Sequence, residues 1–143
     1  MSPEEQTVRQ IFELANRGLF GEVLRHYHPG AELDLGGGDV AGSPTGKGRI
    51  DDLIEVAIKE YGRPRVRIDE LQTLGSRVYV ETRVTIARSS GQPVNLNELH
   101  IFEFSDGKVE SHRVFTNSVS PARLQNGEQE GLIPTVGVPG SDS

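Results

Sequence analysis

Glu98, His100 and His112 are the side chains of this sequence best suited to moving protons. Imidazole titrates near neutral pH, so it accepts or donates a proton without extreme tuning. Glu98 and His100 stand two residues apart in an alternating stretch, which puts both on one face of a strand. His112 follows after the turn-like Ser105-Asp106-Gly107. Two histidines on paired strands of one face could share a substrate oxygen, and Glu98 could fix a tautomer or raise basicity. The trio also fits a plainer reading, polar residues on a half-exposed sheet. A third metal ligand with distinctive spacing is lacking, so no metal site is expected, and no cofactor.

Other residues invite chemistry less strongly. His26 and His28 form an H-x-H at the end of a predicted helix, where i and i+2 face different ways and chelate poorly. Gly36-Gly37-Gly38 and Gly46-Lys47-Gly48 lack the P-loop pattern and a following Ser or Thr, so they read as a lid or connector. Asp34 and Asp39, at a strand exit, and Asn117, after the last strand, are expected to be solvated. Phe12, Tyr27, Phe102 and Val114 are candidates for the wall of an apolar ligand pocket, against the commoner fate of such side chains as packed core.

The 143 residues fit one domain. Fifteen basic residues against 21 acidic give 15 − 21 = −6, which argues against nucleic acid as a partner. Arg63, Arg65 and Arg67 cluster, but their alternation with Val66 and Ile68 describes a solvated strand face. The chain has no cysteine, which rules out disulfides and thiolate metal sites within it and fits a reducing, cytoplasmic location. The start, MSPEEQTVRQ, does not read as a secretory leader, and no apolar run approaches the ~18–20 residues that span a bilayer.

The elements that must position these side chains follow from periodicity. Ser2 can cap a helix that opens with Pro3 and Glu5, with Val8, Ile11, Phe12 and Ala15 on one face, ending at Asn16-Arg17-Gly18. A second helix is predicted over 19–27, a strand over 31–35, a loop over 36–48 and a third helix over 49–61. The period then changes to two, with strands predicted over 65–71, 78–86, 95–104 and 108–115. Residues 118–143 carry scattered Gly, Pro and Ser and read as a tail, mobile or laid on a partner, after a domain of residues 1–117. Helices early and strands late give an α+β fold, helices packed on one face of an antiparallel sheet.

The last hairpin decides which side chains share a face. Asp106-Gly107 as a two-residue turn pairs Ser105 with Lys108 and sets His112 opposite Ile101. Ser105-Asp106 as a type I turn with Gly107 in a left-handed bulge pairs Phe104 with Lys108 and His100 with His112. The second is expected. It places Glu98, His100, Phe102, Phe104, Glu110, His112, Val114 and Thr116 on one face, with Val109 on the other.

The stretch LHIFEFSDGKVESH at 99–112 resembles the end of SnoaL-like domains, in the nuclear-transport-factor-two-like superfamily with ketosteroid isomerases and limonene epoxide hydrolases. The run from Asn16-Arg17-Gly18 to His28-Pro29-Gly30-Ala31 is similar to the family's second helix leading into its first strand. Gly46-Lys47-Gly48-Arg49-Ile50 is similar to its lead-in to the third helix. The match in order and spacing runs over 8–117. The resemblance implies a cone-like roll, three helices closing a strongly curved sheet around a deep pocket, and a homodimer through the outer sheet face.

The known chemistries transfer only in part. His100 matches the histidine of the polyketide cyclases, but their acid/base Asp falls on Val114. The catalytic Tyr and Asp of ketosteroid isomerase fall on Ile11 and Leu35, with Asp34 one residue away. The Asp-Arg-Asp set of limonene epoxide hydrolase falls near Glu98, His100 and Val114. Two readings follow. One is a cofactor-independent enzyme performing acid–base chemistry (cyclisation, isomerisation, dehydration or epoxide opening) on an apolar oxygenated molecule such as a polyketide or terpenoid. The other is a non-catalytic binding or dimerisation module.

Overall fold

The computed structural model describes residues 1–38, 46–61, 63–87 and 92–118. Helix α1 spans Pro3–Asn16 and α2 spans Phe20–Leu24, followed by β1 (Tyr27–Gly38), β2 (Lys47–Arg49) and α3 (Ile50–Tyr61). Strands β3 (Pro64–Leu74), β4 (Arg77–Ile86), β5 (Val94–Ser105) and β6 (Lys108–Ser118) complete the fold. Asp39, Gly62, residues 89–91 of the turn expected over 89–93, and the tail from 119 onward lie outside the described residues. Among the described residues no helix is long and apolar enough to cross a membrane.

Helix α1 begins and ends for local reasons. Ser2 Oγ accepts the Glu5 N–H at 3.1 Å, and Pro3 stands where its missing N–H matters least. The Glu5 carboxylate does not close a capping box on Ser2; it accepts from the Thr73 hydroxyl at 2.7 Å. At the far end Gly18 takes φ 77°. Its N–H reaches Ala15 O at 2.9 Å, and Leu19 N–H reaches Leu14 O at 3.0 Å, a glycine-terminated C-cap. Val8, Ile11, Phe12 and Leu14 are buried along the helix. The last helical side chain ties α1 to the sheet: Asn16 Nδ2 donates to Val66 O at 2.8 Å, and Val66 N–H donates to Asn16 Oδ1 at 2.7 Å.

The fold is α+β, as expected, but its sheet is mixed rather than antiparallel. The strand order is β2-β1-β6-β5-β4-β3, and β1 runs parallel to β6 while every other neighbour is antiparallel. The curved sheet stays open, with helices over its concave face. The β1–β6 pairing joins segments some 80 residues apart, as in Tyr27 opposite Val109, and nothing local in either segment encodes it. That pairing also corrects α2. The helix stops at Leu24 rather than 27, because Val109 N–H donates to His26 O at 2.9 Å and residue 27 starts a strand. Pro29-Gly30 falls in a register shift between Tyr27 and Glu32, with Gly30 at φ 77°, so the strand continues past it.

Strand β4 shows the clearest alternation. Val78, Val80, Thr82, Val84 and Ile86 are buried and the residues between them are not. Val78 and Val80 join the main core with Val8, Ile11, Phe12, Val23, Leu33, Phe102 and Val109, and Val84 and Ile86 pack with Leu96 and Val66 in a second cluster.

The β5–β6 hairpin turns differently from expectation. Asp106 (φ 53°) and Gly107 (φ 81°) form a two-residue turn, and Ser105 pairs with Lys108. A register shift then follows: Phe104 pairs with Val109, but Glu103 pairs with Ser111, leaving Glu110 as the extra residue of a bulge. The bulge restores the face that a plain two-residue turn would have reversed. His100 therefore stands opposite Val114, and His112 opposite Phe102. Glu110 is exposed and Val109 fully buried, the reverse of the expected assignment for those two residues.

Candidate functional site

The concave face of the sheet, with α1, α2 and α3, encloses a cavity of about 160 Å³. Its walls are hydrocarbon from Ile11, Phe12, Phe20, Leu33, Leu35, Ile50, Ile54, Val66, Val84, Ile86, Val114 and their neighbours. Among the described residues four lining side chains are polar: Tyr27, Glu98, His100 and His112.

These four form one hydrogen-bonded chain. Glu98 Oε1 lies 2.8 Å from His100 Nε2, His100 Nδ1 lies 2.8 Å from His112 Nε2, and His112 Nδ1 lies 2.9 Å from Tyr27 Oη. Strand alternation on β5 puts Glu98 and His100 on the inner face, the repaired β6 register brings His112 beside them, and β1 delivers Tyr27 from the parallel neighbour. With Glu98 as a carboxylate, which only accepts, and both imidazoles neutral, His100 donates from Nε2 and accepts at Nδ1. His112 then donates from Nε2 and accepts at Nδ1 from the Tyr27 hydroxyl. Every donor along the chain points toward Glu98.

The rings are held by packing. Phe12 meets His100 edge-on with centroids 5.0 Å apart, and Phe102 stacks on His112 at 4.0 Å. Burial, and next the neighbouring His100, hold the His112 imidazole well below the ordinary histidine range. Burial alone pushes the Tyr27 hydroxyl up. Both groups are therefore kept neutral.

This burial has a consequence for stability. Unfolded, His112 takes a proton near pH ~6.5; folded, it does so only well below that. In the interval the unfolded chain binds the extra proton, so stability falls as pH falls below ~6.5, by up to about 1.4 kcal/mol per pH unit from this residue. Urea unfolding midpoints followed from pH 7 to pH 5 should drop, and His112→Gln should flatten the slope. Equal slopes in the two proteins would show that His112 titrates freely in the fold.

Glu98, His100 and His112 thus come together as the spacing suggested, with Phe12, Tyr27 and Val114 on the same cavity wall. Phe102 is the exception among the expected wall residues. It is fully buried and lies behind the histidines, outside the cavity lining, because its ring fills the space between them, Phe12 and the sheet. The Tyr27 hydroxyl is the feature that the sequence reading missed. Tyr27 counts there as helix-end wall, although a buried tyrosine regularly needs a partner for its hydroxyl.

The histidine nitrogens point at one another and at Glu98 and Tyr27, so they do not converge on a metal position. Among the described residues no group of three His, Cys, Asp or Glu side chains is placed to hold an ion. His28 donates from Nε2 to Ser105 O, a structural tie between β1 and the hairpin. Asp34 accepts from Gly36 N–H at 2.9 Å, and Asn117 pairs across the sheet with Asn97.

Comparison with known proteins agrees with this architecture. By sequence, no curated protein matches the chain. Among solved structures, an NTF2-like protein of unknown function from Burkholderia pseudomallei superposes with a TM-score of 0.68 at 20% identity, covering 87% of this chain and 97% of that one. A protein described as a SnoaL-like polyketide cyclase from Jannaschia superposes with a TM-score of 0.65 at 22% identity, over 89% and 90% of the two chains. IdmH from Streptomyces antibioticus, described as a polyketide cyclase, gives a TM-score of 0.64 at 18% identity, over 82% and 93%. The family model of the SnoaL-like domain matches residues 8–112, and the chain belongs to that family.

Proposed function

We propose that this protein is a cofactor-independent enzyme that performs acid–base chemistry on a compact, apolar, oxygenated small molecule, such as a polyketide or terpenoid intermediate. The observation that carries this reading is the cavity's division of labour. Among the described residues every polar side chain lining it belongs to one chain, Tyr27–His112–His100–Glu98, and the remainder is hydrocarbon. Hydrocarbon walls orient a ligand and exclude water, which strengthens proton transfer at the polar strip. Glu98, His100 and His112 are the catalytic set; Phe12, Tyr27 and Val114 contact the ligand. Cyclisation, isomerisation, dehydration and epoxide opening all fit a site that only moves protons. The descriptions of IdmH and the Jannaschia protein as polyketide cyclases favour the first. A second copy of the chain packs on the outer sheet face, where Phe115, 41% exposed, stands paired with Leu99.

The resemblance favours a binding module at one point: it sets Val114, which lines the cavity and cannot take a proton, at the acid/base carboxylate position of the polyketide cyclases. Native mass spectrometry of the purified protein separates the two. The co-purified compound is identified and incubated with the protein in chelator-containing buffer. An enzyme returns it rearranged at constant mass, or with one water lost or gained. Return of the compound unchanged supports the module.

A further inference from the structure

Both nitrogens of both imidazoles are already engaged by protein partners. Neither histidine has a lone pair or proton left over for a ligand without breaking the chain. Only the ends, Tyr27 and Glu98, keep hydrogen-bonding capacity for a ligand, and both residues line the cavity. Because all donors point toward Glu98, a shift of every proton by one position can run only in that direction.

We infer that Tyr27 is the point at which a ligand proton enters the site, and that His112 and His100 relay it to Glu98. The step balances. The ligand O–H bond breaks and its proton joins the Tyr27 oxygen as Tyr27's own proton passes to His112 Nδ1. The His112 Nε2 proton passes to His100 Nδ1, and the His100 Nε2 proton passes to Glu98 Oε1. The ligand has lost one proton and Glu98 has gained it. Tyr27 and both histidines end neutral, the imidazoles in their other tautomers. A concerted shift of this kind suits a buried pair, since neither a tyrosinate nor an imidazolium has to persist there.

The polarity of the chain also names the ligand class. The Tyr27 hydroxyl donates to His112, so toward the cavity its oxygen accepts. The ligand must bring a donor: an enol, phenol or alcohol. Among the described residues no Lys or Arg lines the cavity, so carboxylate ligands are disfavoured.

The inference rests on the acid–base reading above, and its test is independent of the true substrate. Protein labelled with ¹⁵N-histidine reports the tautomers directly. At neutral pH both His100 and His112 should carry the proton on Nε2. Phenol, benzene and benzoate then serve as probes in chemical-shift titrations. Phenol should bind roughly five-fold more tightly than benzene, the range of one neutral hydrogen bond, and benzoate more weakly than either. Tyr27→Phe, which keeps the ring and its packing, should remove the phenol preference, whereas Glu98→Gln should keep it. An Nδ1 proton on either histidine of the free protein overturns the relay. So does a wild-type protein indifferent to the hydroxyl, or a preference lost in Glu98→Gln and kept in Tyr27→Phe. If the tautomers and the phenol preference hold but the co-purified compound is never transformed, the enzyme reading fails and proton entry at Tyr27 stands. Reversed tautomers with turnover intact do the opposite.

Discussion

His100→Ala should lower turnover by about 10²–10⁴-fold, the usual contribution of a positioned acid–base group, while ligand affinity stays within several-fold of wild type. The asymmetry follows from where the ring's nitrogens point. One faces Glu98 at 2.8 Å and the other faces His112 at 2.8 Å. Removing the ring cuts the chain in its middle, so a proton arriving at one end cannot reach the other. The hydrocarbon walls that hold the ligand are untouched. His100→Gln, closer in volume and still polar, guards against the trivial outcome of a misfolded variant; it should unfold near the wild-type midpoint and share the loss of turnover. Rates are compared under single-turnover conditions, with affinity measured separately. Turnover within ten-fold of wild type in both variants would remove His100 from the mechanism. Affinity that collapses with the rate would make it a ligand-binding residue.

Phe102→Ala should lower stability by about 3–5 kcal/mol, in the range of buried aromatic truncations. Phe102 is fully buried, with its ring stacked on His112 at 4.0 Å and edge-on to Phe12 at 5.8 Å between ring centroids. Helix and sheet hold these neighbours, so the gap left by the ring cannot close fully. Domains are stable by only ~5–15 kcal/mol in total, and this one residue accounts for a large share. Urea unfolding gives the measurement. A loss under about 1 kcal/mol would mean that the surrounding rings collapse into the space, and that the histidines are positioned by their hydrogen bonds alone.

Much of this arrangement can be read from the sequence, and the limits are physical. Helix α1 is locally determined: cap, apolar stripe and terminating glycine all lie within 18 residues, so sequence and structure agree. The shared face of Glu98, His100 and His112 is also foreseen, but through the wrong turn. Asp106-Gly107 adopts the rejected two-residue geometry, and an unforeseen bulge at Glu110 returns His112 to the expected side. Bulges answer to sheet curvature, a property of all the strands together. Tyr27 was beyond local reading for a similar reason. Its partner is 85 residues away, and the parallel β1–β6 pairing that brings them together leaves no periodic trace in either segment. The spacing of residues proposes a proton-handling group; only the tertiary fold shows that its imidazoles face each other.

The tie between Asn16 and Val66 bears on more than the seating of α1. Strand β3 is eleven residues long and ends the sheet, so its outward amides and carbonyls would template another chain. The Asn16 carboxamide occupies both backbone groups of Val66, near the start of that edge, as a neighbouring strand would. Arg65, Arg67 and Glu70 are exposed beside it, and Pro64 opens the strand without an N–H to offer. One helical side chain thus stands in for a neighbouring strand at Val66, and blocks strand addition at that point of β3, the longer of the two edge strands among the described residues.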